Sequence, residues 1–148
     1  EFINSGLSTK VYYVSMGGFD THAGQSNRQA RLLKTYAQAI DVFIADLEAS
    51  DSFKDTLVVT FSEFGRRVQQ NAAGGTDHGA ASNLFIIGKN LKTPGFYNPS
   101  PDLVNLDYNG DLKYTVDFRS VYATLLDQWL DANHPKILGK SFKALNFI

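Results

Sequence analysis

From Ser26 onward, Leu33, Tyr36, Ala37, Ile40, Phe43, Ile44 and Leu47 recur at intervals of three and four residues, the period of an amphipathic helix. This pattern predicts a helix from about Ser26 to Ala49, and its flanks constrain the fold further. Before it, Lys10–Ser15 (KVYYVS) is β-branched and aromatic and runs into Gly17 and Gly18, as a strand ending in a turn does. After it, Asp55–Phe61 (DTLVVTF) is a short apolar run of the kind found in strands covered on both faces. Two strands separated by a helix of this length favour a right-handed crossover and parallel pairing. The expected fold class is therefore α/β with a mostly parallel sheet.

Further along, residues 65–80 (GRRVQQNAAGGTDHGA) follow neither period and contain four glycines, which predicts a loop long enough to carry function. Ser82–Gly88 (SNLFIIG) reads as another buried strand, and residues 89–110, with three of the four prolines, as turns and irregular chain. Thr115 is a candidate cap for a second helix through Phe118, Val121, Tyr122, Leu125, Leu126, Trp129 and Leu130. The tail from His134 to Ile148 is expected to add a closing turn or short strand, with His134 at the surface, and residues 1–9 form a polar lead-in.

At 148 residues the chain fits one domain. A formal charge of −1 gives no electrostatic footprint for nucleic acid. No apolar run approaches the ~18 residues of a membrane span. There is no cysteine, so thiolate zinc sites and thiol catalysis are excluded and any metal must be held by nitrogen and oxygen. The sequence starts at Glu1 and its one methionine is Met16, which suggests a piece of a longer protein.

Three polar clusters adjoin predicted strand ends: Asp20 and His22 in GGFDTH; Ser62, Glu63 and Arg66 in FSEFGR; Asp77 and His78 in GGTDHG. On parallel neighbours these ends share one sheet edge, where open α/β sheets bind ligands. Two imidazoles with carboxylates suit Zn²⁺, Mn²⁺ or Fe²⁺, and carboxylates alone suit Mg²⁺ or Ca²⁺. Each cluster also has a plainer explanation. Asp20 fits an Asx-type turn, His22 a bond to a loop carbonyl, Glu63 an ion pair with Arg66, and Asp77 with His78 an exposed loop. G-x-S-x-G, P-loop and dinucleotide fingerprints are missing.

The order GGFDTH, VVTFSEFGRR, NAAGGTDHG, DFRSVYATLLDQWL resembles the carboxy-terminal portion of an uncharacterised bacterial family, labelled a domain of unknown function. Its longer members are typically exported and are grouped with the alkaline phosphatase and sulfatase superfamily. The resemblance runs from about Lys10 to Ile148. It implies a three-layer α/β/α sandwich, alkaline-phosphatase-like, of which residues 1–148 are one domain forming the carboxy-terminal part. It also implies a divalent metal, zinc foremost, with Asp20, His22 and His78 as ligands. Glu63 falls at the aspartate of a second metal site, but Phe64 falls at its histidine and cannot ligate. Arg66 and Arg67 are then candidates to contact the substrate, a small-molecule or glycan ester of phosphate or sulfate. The superfamily nucleophile belongs to an amino-terminal strand that none of these residues matches. Periplasmic or secreted localisation and self-association of the piece are further expectations. The alternative, favoured by Phe64, is a non-catalytic binding or structural domain with a degraded metal site.

Overall fold

The computed structural model describes residues 2–148; Glu1, in the expected lead-in, lies outside them. The chain forms two compact units. One comprises the described residues through Lys89 together with Asp102–Lys113, and the other Asn90–Pro101 with Tyr114–Ile148. No helix among the described residues is long and apolar enough to cross a membrane.

In the first unit the long helix α1 spans Gln25–Ala49. Its covered stripe is Gln29, Leu32, Tyr36, Ile40, Ile44 and Leu47, spaced by three or four residues as one helix face requires. Leu33, Ala37 and Phe43, expected on that face, are exposed. The stripe meets a ribbon of two strands, β1 (Val58–Thr60) and β4 (Phe85–Ile87). Tyr36 donates to Thr60 Oγ1 at 3.2 Å and its ring lies 6.5 Å from that of Phe85.

The parallel three-layer sandwich is overturned. β1 pairs with β4 antiparallel, Val58 opposite Ile87 and Thr60 opposite Phe85. A second antiparallel pair joins β2 (Gly65–Gln70) to β3 (Thr76–Gly79), so the two sheets have two strands each. Lys10–Ser15, expected as the first strand, belongs to no strand and is exposed, Val14 to 90%. The crossover argument required that run to pair beside β1. A short apolar run does not encode its partner or direction, and β1 takes the later strand instead.

Residues 65–80, expected as a loop, are largely the β2–β3 hairpin. What closes it is polar. Asn71 Oδ1 accepts from the backbone N–H groups of Ala73 and Gly75, both at 3.0 Å, an Asx arrangement that replaces an apolar strand face. The turn docks onto the start of α1: Gly24 N–H donates to Ala73 O and Gln25 N–H to Gly74 O, each at 3.0 Å. α1 has no side-chain N-cap, so these carbonyls satisfy donors that a helix start leaves open.

In the second unit α2 spans Phe118–Thr124 and continues into a π-helical turn, Leu125–Trp129. Its cap is Asp117, which accepts from Arg119 N–H at 2.9 Å; Thr115 instead accepts from the Asn98 amide. The tail is not a strand but a short helix, α3 (His134–Leu138). His134 is buried, not at the surface. Its Nδ1 lies 2.6 Å from Asp127 Oδ2 and its Nε2 accepts from Phe142 N–H at 3.1 Å. Val121, Ala123 and Phe147 form this unit's apolar core.

Candidate metal centre

Asp20 and His22 stand on the loop leading into α1, and His78 on β3 opposite Arg66. The hairpin brings them together through its backbone. Ala23 bridges Gly74 in antiparallel fashion, and a Cβ on Gly75 would stand 2.2 Å from the carbonyl carbon of His22. Only glycine permits that approach.

Within this corner His22 Nε2 lies 2.9 Å and His78 Nε2 2.8 Å from one oxygen, Asp20 Oδ1. The two rings are 4.8 Å apart. Arg66 Nη2 approaches the same oxygen at 3.7 Å. The hydrogen bond from His78 and the charges of His22, His78 and Arg66 hold the Asp20 carboxyl below its usual range, against a smaller opposing desolvation. Behind His22, Nδ1 lies 3.4 Å from Asp77 Oδ1. Asp77 is likewise lowered, first by its hydrogen bond from Asn71 and then by His22.

Phe64 packs against the corner. Its ring stacks on His78 at 3.8 Å and 12°, with the Arg66 guanidinium 5.0 Å from its centre. Phe64 thus supports the His78 ring. Arg66 is largely engaged by protein: it donates to Thr76 O and Phe19 O, fastening the loop before Asp20 to the hairpin. Arg67 donates to the buried Asp111 at 3.1 Å. Glu63 is exposed, makes no ion pair with Arg66 and lies outside the Asp20, His22, His78 group. Ser62 donates to Phe64 O at 2.7 Å.

The donor set fits a borderline cation. Asp20, His22 and His78 each offer one atom, all within 4.8 Å of one another and all exposed. Ligand atoms around tetrahedral zinc, with bonds near 2.0–2.1 Å, stand roughly 3.3 Å apart, a few tenths of an ångström beyond the two short separations seen. One carboxylate and two imidazoles leave coordination positions open.

Asn71 was not singled out by residue type, yet it fastens the corner; the string N-A-A-G-G carried the Asx-turn signal. A family model described as "Protein of unknown function (DUF1501)" matches residues 7–135. The chain belongs to this family. Neither a curated protein nor a solved structure matches it. All of the corner described above lies inside the DUF1501 match.

Proposed function

We propose that this DUF1501 chain carries a divalent-metal centre, zinc foremost, held by Asp20, His22 and His78, in a hydrolase-like domain acting on phosphate or sulfate esters. The observation that carries it is the approach of two imidazole Nε2 atoms to one carboxylate oxygen, from segments 58 residues apart. The motif resemblance to the alkaline phosphatase and sulfatase superfamily supports the ester substrate, small-molecule or glycan, and a periplasmic or secreted setting. When bound, the metal supplies Lewis acidity and neutralises charge on the transferring group. The chain's own residues do the rest. His22 and His78 turn their Nε2 atoms to the corner, Arg66 adds fixed positive charge beside Asp20, and the Phe64 ring lies stacked, nearly parallel, on that of His78. No residue is assigned as nucleophile.

Zinc titration followed by metal analysis tests the centre. The expected result is one saturable site, lost in His22→Ala and His78→Ala; a parent protein that takes up no metal ends the proposal. A non-catalytic metal-binding domain is the second reading, favoured by Glu63 standing apart, which leaves a single ligand group among the described residues. Hydrolysis of p-nitrophenyl phosphate and p-nitrophenyl sulfate by the zinc-loaded full-length gene product separates the two: turnover supports the hydrolase, and its absence the binding domain.

A further inference from the structure

We infer that Asp77, held by Asn71, is the positioning residue that turns the His22 ring so that Nε2 faces Asp20 and Nδ1 is tied behind it. Four hydrogen bonds fix Asn71 itself. Its Oδ1 accepts from Ala73 and Gly75 N–H, both at 3.0 Å, while its Nδ2 donates to His22 O at 2.9 Å and to Asp77 Oδ1 at 3.2 Å. A flipped amide would lose all four, so the orientation is determined by the network. One side chain therefore clamps both the His22 backbone and the carboxylate behind the His22 ring. That carboxylate oxygen is 3.4 Å from His22 Nδ1, on the side of the ring away from Asp20.

A free imidazole at the surface rotates about two bonds, and each nitrogen can present itself. With Nδ1 facing the Asp77 carboxylate, the ring is held in one orientation, with Nε2 turned into the corner. Asp77 is exposed at 58% of its side chain. An exposed carboxylate aimed at a ring nitrogen and anchored by an otherwise saturated amide has little to do for stability. Its effect falls on the histidine.

Two variants and two readouts test this. Asp77→Ala removes the acceptor, while Asp77→Asn keeps an oxygen that can still accept from Nδ1–H. Zinc affinity, measured against a competing chelator, is expected to fall about 10–100-fold in Asp77→Ala, the usual effect of losing such a partner, and to be largely restored in Asp77→Asn. This readout rests on the metal proposal above. The second does not: in the metal-free protein, nuclear Overhauser contacts between the His22 and His78 ring protons should be present in the parent and Asp77→Asn and weakened in Asp77→Ala. Thermal unfolding of the variants should match the parent. Asp77→Ala indistinguishable from the parent in both readouts overturns the inference, as does zinc bound through Nδ1 of His22. A parent without zinc affinity whose ring contacts still respond to Asp77→Ala would end the metal proposal and uphold the role of Asp77.

Discussion

At the level of single residues, Gly75 decides whether the corner closes. Its missing side chain lets the hairpin turn lie against the carbonyl of His22, and a Cβ there would stand 2.2 Å from that carbon and 2.7 Å from Ala23 N. Backbone cannot swing aside as a side-chain tip can. Gly75→Ala is therefore expected to cost about 1–3 kcal/mol, as overpacking does, and to separate Asn71 from His22. Gly17→Ala serves as the contrast, because nothing lies within 4 Å of a Cβ at that position. Urea unfolding of both variants checks the difference; equal stabilities would show that the turn yields. Phe64 illustrates another lesson. It cannot ligate a metal, and its ring is a platform against His78.

Among the elements, α2 offers the clearest pH response. Its cap, Asp117, has its carboxyl lowered first by the side chain of Arg119 and also by the Arg119 backbone, with desolvation opposing. A carboxylate lowered on folding stabilises above its unfolded pKa, and that contribution is lost as pH falls through the folded value. Acidification below the ordinary carboxylate range should thus loosen the first turn of α2. Asp117→Ala should remove that acid-dependent step and cost about 1 kcal/mol at neutral pH, as lost caps do. The amide resonance of Arg119, followed from pH 7 downward, reports both; a resonance unchanged through the carboxylate range would refute them. The elements also show what the sequence could and could not carry. The helical period marked α1 to within a residue of its start, because Tyr36, Ile40, Ile44 and Leu47 must face one way, although Leu32 and not Leu33 shares that face. The runs around Val58–Thr60 and Phe85–Ile87 were legible as strands, but their antiparallel pairing was not, since direction is decided by contacts between distant segments. The hairpin over Gly65–Gly79 was read as a loop because side-chain bonds of Asn71 and Arg66, not alternating apolar residues, hold it. Asp20, His22 and His78 were recognisable by residue type as candidates for one corner. Glu63 stands apart from them, beside the turn in which Ser62 donates to Phe64 O, and no spacing rule encodes that.

For the whole molecule, the apolar core is thin. Among the described residues the buried hydrophobics are Leu47 in one unit and Val121, Ala123 and Phe147 in the other. Val11, Tyr13 and Val14, consecutive or nearly so, are exposed in the first unit, and Val104, within its Asp102–Lys113 segment, is exposed to 91%. Exposed apolar side chains in such number promote association. The chain is expected to bind a hydrophobic dye and to self-associate as concentration rises in sedimentation velocity, with Val11→Ser/Val14→Ser reducing both; a dye-silent monomer at every concentration would count against this. The distance in sequence between Asp20 and His78, 58 residues with all of α1 between them, has a kinetic consequence. Contacts that close so long a stretch form slowly, so the Asp20–His78 contact is expected to form after the local turns of α1. Of the two short separations at Asp20, the one to His22 is local and the one to His78 is the contact that closes this stretch of chain.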